Sequence, residues 1–351
     1  MSHSLSRRTL LSALSAAPFL HATDKAGAKR PVVGEGAYRY EVIHDWGELP
    51  RTIRYGNTHG VVVDSQGHVY IHHTVHSTSE SEDTMVVFDS KGKFVRSWGA
   101  EFKGGAHGLS LRKEGRQEFL YLCDTRRNLF LKTTLQGETV LRIEYPQESP
   151  AYAVAAGEQR KRYSPTNVAL APNGDIYIAD GYGSSYINQY NASGQFIRTF
   201  GGKGKEQGQL DCPHGLVLDT RGPEPVLLVA DRTNRRLQTF SLDGRSLGLS
   251  GQGEVKLPCH FDIHREKSGR RLLLVPDLEA RVSLLDENNK AIVHLGDDPS
   301  GKWGELRKKA REEFIPGKFI CPHSACFDKD GNIFVVEWVE VGRVTKLRRV
   351  A

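Results

Sequence analysis

Apolar and polar residues alternate with a period of two along most of the chain, the pattern of half-buried strands. The alternating runs return six times: THGVVVDSQGHVYI from Thr58, AHGLSLRKEGRQEFLYLCD from Ala106, PTNVALAPNGDIYIAD from Pro165, PHGLVLDTRGPEPVLLVAD from Pro213, PCHFDIHREKSGRRLLLVPD from Pro258 and PHSACFDKDGNIFVVEW from Pro322. Each copy opens on a small residue or proline, runs into a strand, turns at Gly, Asn or Asp, and returns in a second strand ending at or near an acid. Third strands such as RLQTF (236–240) and outer strands such as FVRSWG from Phe94 and FIRTFGG from Phe196 follow. Four strands per copy and a spacing of 45 to 64 residues predict the blades of a propeller, whose repeat is about 40–50 residues. The longer spacings hold insertions near 146–162 and 297–317, the second with a candidate short helix in GELRKKAREEF.

The fold class is therefore all-β, a six-bladed β-propeller over residues 38–350. The chain reaches a third-strand-like RVTKLRRV at Arg343, and YEVIHDWG, from Tyr40, stands before the first copy. The N-terminal strand is expected to complete the last blade, closing the ring without an open edge. Before it, Ser6, Arg7 and Arg8 lead into Thr9, Leu10, Leu11 and an apolar stretch to Leu20, then polar sequence from Thr23. That order predicts a twin-arginine export signal and linker over 1–30, hence a bacterial periplasmic or secreted protein.

Composition narrows the function. The net charge of +6 comes from 48 basic and 42 acidic residues without a sustained basic block, so nucleic acid is not an expected partner. No run approaches 18 apolar residues, which argues against a membrane span in the mature protein; a monomer is expected. Five cysteines are an odd number for an oxidising compartment, so at least one thiol should be free.

The same position in each copy must converge on the propeller axis. These positions are His59, His107, Thr166, His214, Cys259 and His323, with His260 rivalling Cys259 in a register that the sequence leaves open. His107, His214 and His323 lie in alternate copies, about 120° apart around six blades, as three imidazoles meeting one ion must be. Three ligands leave a coordination position open for substrate, the mark of a catalytic zinc site. His59 breaks the threefold pattern and is expected to contact substrate, or to support the ligands; Cys212 and Cys321 are expected to be buried apolar groups. At the ends of second strands, Tyr182 could act as a base and Arg232 could stabilise an oxyanion or hold a carboxylate.

These residues resemble the peptidyl-α-hydroxyglycine α-amidating lyases, zinc-containing propellers of the NHL-repeat group. The likeness runs from EDTMVVFD at Glu82 through GGAHGLSL, SPTNVALAPNGDIYIADGYGSSYI and CPHGLVLD to VADRTNRRLQTF, and resumes at CPHSACFDKDGNIFVVEW. The resemblance implies zinc on His107, His214 and His323, Tyr182 as general base and Arg232 as an active-site arginine, with cleavage of a hydroxyglycine C–N bond to an amide and glyoxylate. A second family arginine has no counterpart in IHHTVHS, where His72, His73 and His76 stand. His73 and His260 join His59 as expected substrate-binding residues. Ser324 replaces an acid linked to a structural calcium in the family, which weakens a calcium site. The competing readings are a non-catalytic propeller that binds a protein or peptide, and a metal-dependent hydrolase of the calcium lactonase type, whose hard ion prefers carboxylates to imidazoles.

Overall fold

Five copies of the repeat each fold into an antiparallel four-stranded sheet, and the sixth into a five-stranded one, in a computed structural model that describes residues 30–155 and 157–350. In the first blade the strands are Thr58–Val63, Val69–His73, Met85–Phe88 and Phe94–Trp98, paired in chain order. Short polar turns set these registers: Asp64 accepts from the N–H groups of Gln66 and His68, and Asp328 does the same for Asp330 and Asn332. The two middle strands carry buried residues on both faces, because each sheet is covered by a neighbouring blade on either side. Val61, Val69, Ile71 and Phe88 of blade one, for example, pack with Phe334, Val336 and Val344 of blade six. Each such aliphatic side chain contributes about 1.5–3 kcal/mol on burial.

Closure follows the sequence expectation. Tyr40–His44 pairs antiparallel with Arg343–Arg349, from Tyr40 opposite Arg349 to His44 opposite Thr345. A further two-residue strand, Val32–Val33, lies outside it, earlier in the chain than the expected start at 38. The last blade is thereby joined from both ends of the described chain. At its inner side the buried pair Glu337 and Arg343 spans two strands, and Glu337 Oε1 also accepts from the N–H groups of Ile320 and Cys321.

The insertion between blades five and six carries a one-turn helix, Trp303–Leu306, and a 3-10 turn, Arg311–Glu313. Trp303, Leu306 and Phe314 pack with Cys259, Leu278, Cys321 and Trp338, so this excursion covers the hub ends of two blades. No described helix is long and apolar enough to cross a membrane. The expected export segment lies outside the described residues.

Candidate functional site

Four imidazoles meet at the hub. His107, His214 and His323 have ring centroids 4.9, 4.8 and 4.7 Å apart pairwise, and His59 sits 4.8 Å from His107 and 4.5 Å from His323. All four are buried, with exposures of 8% or less. Each occupies a point where the innermost strand shifts register against its partner, between Thr58 and Gly60, Ala106 and Leu109, Pro213 and Leu216, and Pro322 and Ser324. A bulge of this kind re-aims the side chain, here towards the axis.

Three of the four share one further arrangement. Nδ1 of His107 donates to the carbonyl oxygen of Thr166 at 2.8 Å, His214 to that of Cys259 at 2.7 Å, and His323 to that of His59 at 2.9 Å. A carbonyl can only accept, so each Nδ1 carries the proton and each Nε2 keeps its lone pair. The acceptor is always the ring residue of the next blade. Glycine permits the approach, because a Cβ on Gly108 would lie 2.3 Å from the Thr166 oxygen and one on Gly215 2.6 Å from that of Cys259. Thr166 and Cys259 are therefore equivalent, which resolves the register in favour of Cys259 over His260.

His59 departs from this arrangement. Its Nδ1 points at Nε2 of His323, 3.3 Å away. His59, His107 and His323 each offer a ligand atom within 4.8 Å of the others, a grouping that takes His59 in place of His214. The Tyr182 hydroxyl is 3.0 Å from Nε2 of His214 and 3.2 Å from Nε2 of His107.

Electrostatics favour neutral rings. Burial lowers the pKa of His107 to about 3 and that of His59, His214 and His323 well below the ordinary value, with their mutual repulsion adding to it for His59, His214 and His323. Burial pushes Tyr182 up to about 12, while the Arg232 guanidinium opposes the shift. Arg232 Nη1 lies 3.5 Å from the Tyr182 hydroxyl and 3.9 Å from Cys259 Sγ, and its charge sits 5.3 Å from the centre of the Tyr182 ring.

Imidazole nitrogen is a donor that suits zinc. Three imidazoles donating through Nε2 to one tetrahedral zinc would place their centroids about 5 Å apart. Calcium fits less well, because the second-strand acids nearest the hub are committed to their own loops: Asp180 accepts from Ser164 and Ser184, Asp231 from Asp211, and Asp277 from Lys256 and Leu257.

Two further expected substrate-binding residues are not among the four imidazoles. His73 is fully buried at the strand end where blades two to six carry Asp124, Asp180, Asp231, Asp277 and Glu337; its Nδ1 accepts from the N–H of Val75 and its ring packs edge-on against Tyr55. The histidine there stands in place of the acid that the other blades carry. His260 lines a cavity of about 360 Å³ in the channel beyond the imidazoles, walled by Val61, Leu109, Val168, Leu216 and Ala325 among others. All five cysteines are free and buried.

A second ring lies above the imidazoles, and no single motif announces it. In every blade a residue just past the second strand, the next one in five blades and the third one in the blade of Tyr182, donates its N–H to the carbonyl two residues before the ring position: Thr74 to Asn57, Thr125 to Gly105, Tyr182 to Ser164, Arg232 to Cys212, Leu278 to Leu257 and Trp338 to Cys321. Tyr182 and Arg232 are thus neighbours in a six-membered rim. Leu278 and Trp338 form its apolar side.

Comparison with known proteins gives the same direction. No family model matches the chain. It is 29% identical over 277 residues to a peptidyl-α-hydroxyglycine α-amidating lyase of Drosophila melanogaster, covering 73% of this chain and 47% of that one. A probable lyase of the same name from Caenorhabditis elegans is 24% identical over 316 residues, covering 84% and 83%. A peptidyl-glycine α-amidating monooxygenase of Xenopus laevis is 31% identical over 264 residues, 72% of this chain but 26% of that protein. The matches thus span about half, or less, of the fly and frog proteins. Among solved structures, a streptogramin B lyase aligns with a TM-score of 0.55 at 13% identity, over 90% of this chain and 99% of that one. A gluconolactonase of Xanthomonas campestris aligns at 0.57 and 13%, over 92% and 96%. These structures share the fold. The chain is a six-bladed propeller with homologues among the amidating lyases, and it holds a buried histidine group able to bind a metal.

Proposed function

We propose that the protein is a zinc-dependent carbon–nitrogen lyase of the amidating-lyase type, acting on an α-hydroxyglycine-capped peptide or a close relative. The observation that carries this reading is the trio of Nε2 lone pairs on His107, His214 and His323, each fixed by an Nδ1–carbonyl bond, with the Tyr182 hydroxyl against two of them. The three histidines would hold the zinc, which when bound supplies Lewis acidity towards the substrate oxygen.

The protein's own groups then account for the proton and the charge. Tyr182, placed beside the ligand atoms, takes the proton of the substrate hydroxyl as a general base when it is ionised to the phenolate. Burial alone opposes its ionisation, and the neighbouring Arg232 guanidinium favours it. As the O–H electrons become a carbonyl, the C–N bond breaks and its electron pair stays on nitrogen, which takes back the proton held by Tyr182 to complete the amide. The other product is glyoxylate. No water enters the balance, so the reaction is an elimination. Arg232 offsets negative charge on the substrate as it develops.

The test joins metal analysis to product detection. About one zinc per chain and glyoxylate release from a hydroxyglycine-capped peptide are expected, and a fully folded, fully active protein without metal would overturn the reading. We also place the protein outside the cytoplasm on the Arg7–Arg8 signal; retention of an Arg7→Lys, Arg8→Lys variant in the cytoplasm is the expected result, and undiminished export would refute it.

A further inference from the structure

We propose that Arg307, carried into the rim by the insertion between blades five and six, is a second guanidinium that binds the carboxylate of the substrate across from Arg232. The proposal rests on the reading above for the identity of the substrate, but its physical basis is separate.

Trp338 occupies in blade six the rim position that Arg232 occupies in blade four, as their matching N–H bonds to Cys321 and Cys212 show. The guanidinium of Arg307 lies flat on the Trp338 indole, 3.4 Å from its centre. Nε is directed at the Trp338 carbonyl, and Nη2 donates to Asn57 Oδ1 at 3.2 Å. Asn57 belongs to the loop that enters the His59 position, so this arginine bridges the insertion, blade six and blade one at the hub.

Its remaining donors lack a strong acceptor. Nη1 makes no hydrogen bond among the described residues, and its nearest carboxylate, the half-exposed Glu340, is 4.0 Å away. Arg232 has no carboxylate partner among the described residues. The acids that could have neutralised the rim are engaged elsewhere, Asp231 with Arg236 and Glu337 with Arg343. Two guanidinium groups therefore stand at the rim, one without a carboxylate partner among the described residues and one with only the half-exposed Glu340 at 4.0 Å, a field that favours an anionic ligand. Leu278 and the open part of Trp338 add an apolar wall between them, suited to the hydrocarbon part of the group next to that carboxylate.

Glycolate and its uncharged amide separate this role from a merely structural one. Each is titrated calorimetrically into metal-loaded wild type and Arg307→Gln, with metal content and thermal midpoint measured alongside. Glycolate binding should weaken roughly tenfold or more in the variant, amide binding less than about twofold, at unchanged metal content. Equal losses for both probes, no loss for glycolate, or a wild type that does not prefer glycolate would each overturn the proposal. If Arg307→Gln melts early, Arg307→Lys, which keeps the charge without the fork, should weaken glycolate alone by several-fold, and an unselective effect there refutes it. Arg307-dependent glycolate binding without hydroxyglycine turnover would remove the proposed reaction and leave this site standing. Turnover that is indifferent to Arg307 would do the reverse.

Discussion

Nδ1 of His214 donates to the carbonyl oxygen of Cys259 across the boundary between the fourth and fifth blades, 2.7 Å away. The bond ties a hub imidazole to the backbone of a neighbouring sheet, so the orientation of the ring depends on how closely the two blades approach. Gly215 sets that distance, since a Cβ there would lie 2.6 Å from the same oxygen. Gly215→Ala should therefore lower metal affinity by about 10–100-fold, the usual effect of disturbing the partner of a ligating histidine. Equilibrium dialysis against a competing chelator measures it.

His107→Ala combined with His214→Ala is expected to abolish stoichiometric metal binding while the sheets stay folded, checked by elemental analysis and far-ultraviolet circular dichroism. His59→Ala should retain the metal and lose turnover, because His59 lacks the Nδ1–carbonyl bond that prepares the other three. Metal loss in His59→Ala would instead move it into the ligand set with His107 and His323.

Tyr182→Phe removes the hydroxyl that faces His107 and His214 and leaves the ring packing in place. Turnover should fall by about 100-fold or more, the usual contribution of a positioned general base, with metal content unaltered. A variant as active as wild type would end the role assigned to the phenol.

Acid should destabilise the fold from about pH 6.5 downwards. His72 and His260 are buried with both ring nitrogens unpartnered among the described residues, and burial lowers their pKa to about 3 and about 4. Below an ordinary histidine pKa near 6.5 the unfolded chain takes up protons that the folded chain refuses, so stability present above that pH is lost as pH falls towards the folded values. Each group contributes a slope of about 1.4 kcal/mol per pH unit in that window. His72→Leu should make the decline shallower by about one such group. Denaturant midpoints between neutral and mildly acidic pH provide the measurement.

Arg343→Met leaves the Glu337 carboxylate buried beside the N–H groups of Ile320 and Cys321 but without its cation. A loss of about 3–5 kcal/mol is expected, seen as a lower thermal midpoint. Glu337→Gln, which keeps the acceptor oxygen, should cost less.

The blade count, the closing strand and the alternate-blade histidines were legible because each repeats at one place in a periodic frame. His107-Gly108 and His214-Gly215 even carry the mark of the blade contact, although only coordinates reveal which carbonyl each glycine admits. His73 stands where the other blades use an acid, and only coordinates reveal that its Nδ1 accepts from the N–H of Val75. His59 was placed near the site but not against Nε2 of His323, a matter of side-chain rotation that periodicity does not encode. Arg307 was invisible for a different reason. It comes from outside the repeat, and only the packing of the insertion onto Trp338 brings it to the rim.

Because Tyr40–His44 zips onto Arg343–Arg349, the imidazoles of the first and last blades become neighbours only when the two ends of the propeller have met. Removing Arg343–Arg349 would take away the pairing that closes the ring beside His59 and His323, two of the three histidines whose ligand atoms lie together.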